Sequence, residues 1–296
     1  MRIAVGVDAG GTSTVAVASR DGLAGEPFSA EAGNASSRGL DAALDAMTRA
    51  IDGALADAKP DAIVVGAAGA GRENVAGSMR EALLARYPSA AVEIANDARV
   101  ALRAGVRDGD GVVLIAGTGS IAYAEIGREH FRAGGHGYAI DDAGSGFAIG
   151  AAAAKLLARA YDGRVPVDET VKAIERALGG DERRGLDRLY LDGPPIATLA
   201  ALAPEVIRLA DEGERSAVKI VQGAALELGD LVRAVVKSSG AMGRELPVVL
   251  AGGLLGANSL LTFLLETRIA NELPSFYVMK NGPAPCFGAL ALAERS

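Results

Sequence analysis

Short β-branched runs and longer amphipathic stretches alternate along this chain in an order that repeats. Residues 2–7 (RIAVGV) and 14–18 (TVAVA) predict two strands around a glycine turn, Asp8-Ala9-Gly10-Gly11-Thr12-Ser13. A second turn at Asp21-Gly22 sends the chain back for a third strand. Leu40, Leu44, Met47, Ile51 and Leu55 then recur every three or four residues, the spacing of one helix face. A buried strand at 62–66, a helix near 80–86, a strand at 91–95 and a helix from Asp97 follow. The first 105 or so residues therefore read βββ and then αβαβα.

The pattern restarts at residues 111–116 (GVVLIA), with a turn at Gly117-Thr118-Gly119-Ser120 and a strand in IAYAEIG. A turn at Gly127-Arg128 leads into HFRAGG. Helices dominate from about 145 to 240, including a long one with Val218, Val221, Ala225, Leu228, Val232 and Val235 on one side. A strand at 247–251, a helix, a strand at 276–279 and a last helix from about Ala284 close the sequence. This is an internal duplication of βββαβαβα lobes, an N-terminal one over 1–106 and a C-terminal one over 107–283 with added helices. The final helix, 284–296, belongs to the second lobe or packs back onto the first.

Composition narrows the partners. Hydrophobic residues make up 50% of the 296 and charged residues 23%, as in a globular protein. A net charge of −7 gives no basic face for nucleic acid or an anionic membrane. The single cysteine, Cys286, makes neither an internal disulfide nor an all-cysteine metal site, and a reducing cytoplasm suits it. His130 and His136 offer no zinc spacing, and no apolar run reaches the length of a membrane span.

The two glycine turns carry the chemistry. Small residues at a hairpin tip let backbone N–H groups reach an anion unobstructed. Gly10, Gly11, Thr12 and Ser13 form one such tip, and Gly117, Thr118, Gly119 and Ser120 the other. Either alone reads equally as a plain hairpin; together they point to nucleotide phosphates. Asp8 beside phosphate makes sense with Mg²⁺ between them through water. Asn96-Asp97 ends an apolar strand, at the edge where α/β sheets expose their chemistry. Asp97 reads as a helix cap or as a general base for a sugar hydroxyl. Asp142, in a glycine-dense block with Gly135 and His136, suits sugar hydroxyls or caps a helix, and Asn34 reads the same way beside serines that could cap. Asn96 joins these sugar-side candidates. Gly252 and Gly253 leave bare backbone for a nucleoside or form an ordinary turn. No G-x-x-x-x-G-K-[ST] occurs, and the G-x-G-x-x-A at 117–122 precedes a strand where a dinucleotide fold needs a helix.

In order, VGVDAGGTST, GNASS, GAAGAG, ANDARVAL, LIAGTGSIAYA, GGHGYAIDDAGSG, VVLAGGL and PAPCFGALALA resemble the N-acetylglucosamine kinase and BadF-type ATPase family. That family lies within the actin/hexokinase/Hsp70 superfamily, and the matching stretches span nearly the whole chain. The resemblance implies an α/β fold of two ribonuclease-H-like, actin-like ATPase domains with a cleft between them that closes on sugar. It implies ATP and Mg²⁺ as cofactors, an amino sugar as substrate, Asp8 at the metal, and Asp97 as base. Gly10–Thr12 and Gly117–Ser120 would hold phosphate, Asn34 and Asp142 would meet sugar, and Gly252 and Gly253 would flank adenosine. A homodimer is also implied. The family often has Lys at position 13, Trp at 136 and Glu at 143; here they are Ser13, His136 and Ala143, which puts the sugar itself in question. Competing readings are a glucosamine kinase, a broad hexokinase and a non-catalytic, regulatory ATP-binding protein.

Overall fold

The protein is described here by a computed structural model covering residues 1–11, 13–33, 39–67, 73–180, 183–191, 195–280 and 282–296. It divides into two compact units, Met1–Gly109 with Gly282–Ser296, and Asp110–Asn281. The first unit reaches three residues past the expected 106. Arg103 donates through Nη1 to the carbonyls of Val106 (3.2 Å) and Gly109 (2.8 Å), which fastens that segment to the preceding helix.

The first unit runs β1 (Ile3–Ala9), β2 (Thr14–Arg20), β3 (Leu23–Ala24), β4 (Phe28–Ala30), α1 (Leu40–Leu55), β5 (Ala62–Ala67), α2 (Glu73–Arg86), β6 (Ala91–Asn96), α3 (Asp97–Gly105) and, from the far end of the chain, α11 (Pro285–Ala293). The sheet order is β3-β2-β1-β5-β6, with β4 also paired to β2. The expected third strand is thus two short pieces. Asp21 and Gly22 both take positive φ (50° and 80°), the backbone that a tight hairpin requires.

Alternation along β1 assigns its two faces. Ile3, Val5 and Val7 join Met47 and Ile51 of α1 and Met79 and Leu83 of α2 in one core. Ala4, Val64 and Ala95 join Val100 of α3 and Cys286, Ala289 and Leu290 of α11 in the other. Each large side chain so buried contributes about 1.5–3 kcal/mol. Glycines seat α11: a Cβ at Gly6 would lie 2.1 Å from Leu290 N, and one at Gly288 2.0 Å from the Val100 carbonyl oxygen. Helix α11 packs on β1, β5 and α3 because nothing projects where they touch.

The second unit runs β7 (Gly111–Ala116), β8 (Ser120–Ile126), β9 (Glu129–Gly134), α4 (Gly146–Tyr161), α5 (Glu169–Ala177), α6 (Arg183–Leu191), α7 (Ile196–Ala200), α8 (Ala203–Asp211), α9 (Arg215–Ser238), β10 (Leu246–Ala251), α10 (Leu260–Glu272) and β11 (Phe276–Met279). Its sheet order, β11-β10-β7-β8-β9, repeats the first unit: an antiparallel meander from the first strand, then two parallel strands on its other side. The duplication read from the sequence is therefore present in the topology. Leu228 and Val232 of α9, Ile149 of α4 and Leu265 of α10 fill its core with Val112, Leu114 and Val248 of the sheet. Among the described residues no helix is long and apolar enough to cross a membrane.

Candidate active site

The C-terminal ends of the parallel strands in the first unit gather its carboxylates. The register aligns Asp8 of β1 with Gly66 of β5, and Gly66 with Ala95 of β6, so Asp97 stands just beyond the strand end. Gly66 keeps the intervening strand low: a Cβ there would meet Val100 at 2.7 Å. Burial, and next the charge of Asp97, push the Asp8 carboxyl up to about 6. Burial also raises Asp97, against the backbone N–H of Ala98 and its own. Two partly desolvated carboxylates therefore compete for ionisation, and either a proton or a cation relieves them. The side chain of Asn96 accepts from Ala98 N at 2.8 Å and caps α3. Asp97 accepts from the same N–H through Oδ1 at 2.9 Å. Asn96, expected on the sugar side, has its carbonyl oxygen engaged in the cap.

At the neighbouring hairpin tip, Gly10 N donates to the Ser13 carbonyl (3.0 Å), which closes the turn. A Cβ on Gly11 would meet nothing within 4 Å, so its backbone is open to an approaching group. Gly33 N donates to the Gly10 carbonyl (3.2 Å), and a Cβ on Gly33 would sit 2.3 Å from Thr14 Oγ1. Thr14 is fully buried at the base of this turn. Thr12 and Asn34, both expected as ligand contacts, lie outside the described residues.

In the second unit the 117–120 turn is held by the start of α4. Gly146 N donates to the Gly117 carbonyl (2.8 Å) and Phe147 N to the Thr118 carbonyl (3.1 Å). First-turn amides of a helix lack partners within it, and here they fix the turn instead. Gly117 has open space beside it and Thr118 is exposed. Ser120, expected beside phosphate, has its hydroxyl donating to the Ala143 carbonyl at 2.7 Å, so that donor is engaged within the fold. The Asp142 carboxylate stands against Gly119, where a Cβ would meet Oδ2 at 3.0 Å. Burial raises its pKa, opposed by the N–H groups of Ser120 and Gly137 and by His136. Asp142 thus ties the 117–120 turn to the glycine-dense block.

Gly252, with φ of 90°, lies so close to β7 that a Cβ would be 2.3 Å from the Ala116 carbonyl oxygen, while Gly253 has open space beside it. Gly135 (φ 70°) abuts Ile121, and His136 is exposed on the loop that follows. Cys286 is a small, fully buried core residue of the last helix, and its thiol is pushed up to about 11 by burial and by the Asp8 carboxylate. The part Phe147 plays in holding the 117–120 turn carried no local signal, since it is defined by what folds against it from elsewhere in the chain.

Against known proteins, the chain is 29% identical over 238 residues to an N-acetylmuramic acid/N-acetylglucosamine kinase of Clostridium acetobutylicum, covering 79% of this chain and 77% of that one. It is 31% identical over 209 residues to an N-acetyl-D-glucosamine kinase of Dictyostelium discoideum, covering 69% and 65%. A solved structure of a proposed N-acetylglucosamine kinase from Chromobacterium violaceum superposes with a TM-score of 0.80 at 26% identity over 99% of both chains. The architecture is thus the two-domain actin-like ATPase fold of the sugar kinases. Residues 5–293 match one family across both units, and the chain belongs to the BadF/BadG/BcrA/BcrD ATPase family.

Proposed function

We propose that this chain is an ATP-dependent kinase that phosphorylates a hydroxyl of N-acetylglucosamine. The observation that carries it is the buried pair of Asp8 and Asp97 at the strand ends of the first unit, beside a turn of open glycine backbone. Asp97 accepts the proton of the attacking sugar hydroxyl, whose oxygen bonds to the γ-phosphorus as the bond to the leaving ADP oxygen breaks. The N–H groups of residues 11–13 bind phosphate oxygens. In the second unit the amides of Thr118 and Gly119 take the same role, and Gly252 and Gly253 take the adenosine.

Mg²⁺ fits the donor set. Among the described residues no group of three or more His, Cys, Asp and Glu could cage a metal. A cation that arrives on nucleotide phosphates needs few protein ligands, and Asp8 is the carboxylate to meet it. Bound there, Mg²⁺ would neutralise charge developing on the phosphates. Two relatives bear kinase names that include N-acetylglucosamine, which supports the acceptor. The same reading makes it a cytoplasmic enzyme, with assembly as a homodimer open to a sedimentation test.

An ATP-coupled assay across N-acetylglucosamine, glucosamine, N-acetylmannosamine, N-acetylmuramate and glucose tests the proposal. N-acetylglucosamine should give the highest kcat/KM. Sugar-independent ATP turnover, or equal turnover in Asp97→Ala, would end it.

A further inference from the structure

Among the described residues, buried hydroxyls mostly find partners inside the fold. Ser120 donates to the Ala143 carbonyl, Ser145 accepts from Ala148 N, and Thr262 donates to the Ala257 carbonyl. Thr14 does not follow them. It is the first residue of β2 and fully buried, and among the described residues nothing bonds to its Oγ1. A buried hydroxyl without a partner costs free energy, and valine would fill the same shape without that cost. A second such hydroxyl, on Thr170, sits in α5, whereas Thr14 stands at the base of the turn proposed for nucleotide phosphates. Its surroundings tie it to that turn. Thr14 pairs with Ala9 in the β1–β2 ladder, one residue before Gly10, whose N–H donates to the Ser13 carbonyl. Gly33 lies over the hydroxyl, since a Cβ there would be 2.3 Å from Thr14 Oγ1. The same Gly33 donates its N–H to the Gly10 carbonyl at 3.2 Å. A carbonyl oxygen has two lone pairs, so the turn itself carries acceptors for one bond more.

We propose that Thr14 is a positioning residue for the nucleotide. When phosphate binds the 10–13 turn, the Thr14 hydroxyl bonds to a carbonyl of that turn and holds the N–H groups of residues 11–13 toward the phosphate oxygens. This rests on the kinase reading and adds the residue that fixes its phosphate turn. Thr14 itself stays behind the turn and does not touch the nucleotide. Two arrangements of the turn then differ by one bond, and phosphate selects the arrangement that makes it. Part of the binding free energy comes from satisfying a hydroxyl that is otherwise unpaired. A buried threonine is thus kept where valine would give the more stable fold.

Thr14→Val and Thr14→Ser separate this role from packing. Wild type and both variants are titrated calorimetrically with a non-hydrolysable ATP analogue and Mg²⁺, and melting curves are recorded without nucleotide. Thr14→Val keeps the shape and removes the hydroxyl. Its melting temperature should rise by about 2–4 °C. Its Kd for the analogue should rise about tenfold, one hydrogen bond's worth. Thr14→Ser keeps the hydroxyl and loses a buried methyl, so its melting temperature should fall while its Kd stays at the wild-type value. Unchanged affinity in Thr14→Val overturns the inference and leaves the kinase reading, judged by sugar phosphorylation, intact. Equal weakening in Thr14→Ser overturns it as well, because the hydroxyl is then not what matters. So does a Thr14→Val protein that melts below wild type, since its hydroxyl is then paired before nucleotide arrives. A wild type that binds no nucleotide overturns both readings.

Discussion

Asp97, just past β6, and Asp8 on β1 share a strand end across β5, where burial first and the Asp97 carboxylate second raise the pKa of Asp8. One strand end thus holds two acids in a partly desolvated space. Water would separate and screen such a pair, and the fold does not. The arrangement is kept at a cost in stability, which is the usual mark of a functional constraint.

Asp97→Asn separates base chemistry from folding. The substitution keeps the size and the acceptor oxygen toward Ala98 N, and the Asn96 cap of α3 is untouched. Sugar-dependent kcat should fall by about 10²- to 10⁴-fold, the range of a lost general base. The melting temperature should hold or rise, since a buried charge has gone. A steady-state assay paired with calorimetry reads both.

Asp8 makes a prediction about pH. Its folded pKa of about 6 exceeds the ordinary carboxyl value of 3.8, so the folded state holds a proton that the unfolded chain has lost between those values. The stability linked to that proton is complete below pH 4 and is lost as pH rises through 6. A shift of this size corresponds to about 3 kcal/mol at most, reduced by any solvent that reaches the group. Ligand-free Asp8→Asn should therefore melt several degrees above wild type at pH 7.5, with the gap closing by pH 4. Its activity should fall together with its response to Mg²⁺. A gap that widens toward acid would contradict the assignment.

Both meanders, their glycine tips and the strand-end acids were legible in the sequence, because each is local. Asp8 is the last residue but one of β1, and Asp97 the residue after its strand. The seat of α11 was not legible. Gly6 and Gly288 are separated by nearly the whole chain, and neither reveals that a helix backbone lies 2.1 Å from where a Cβ would be. Ser120 shows the opposite case: in GTGS it reads like its neighbours, but the fold directs its hydroxyl to the Ala143 carbonyl. Hydroxyls are legible as donors, and their partners are set only by tertiary structure.

The glycines divide accordingly. Gly6→Ala would drive a methyl into the Leu290 backbone, and helix α11 would have to lift from β1. Overpacking of this kind costs about 1–3 kcal/mol or more, and urea titration should register it as a lower midpoint. Gly11→Ala meets nothing within 4 Å and should leave that midpoint in place. If Gly11 lies beside the nucleotide phosphates, its new methyl should raise the KM for ATP by about tenfold, equivalent to about 1.4 kcal/mol.

Thr118 and Ser120 make the sharpest contrast, because they flank one glycine in one turn. Ser120 is buried, and its hydroxyl holds the Ala143 carbonyl at 2.7 Å. Ser120→Ala strands that carbonyl, for a loss of about 1–3 kcal/mol. The melting temperature should drop, while the KM for ATP should stay near wild type, because Gly146 N and Phe147 N still hold the turn. Thr118 is exposed, and its carbonyl is held by Phe147 N, which the side chain does not influence. Thr118→Ala should leave the melting temperature alone and raise the KM for ATP several-fold, because a hydroxyl bond to a charged phosphate is worth about 1.5–3 kcal/mol at most in such a setting. Should the effects exchange places, the turn would be anchored through Thr118, and Ser120 would be the residue free to meet the nucleotide.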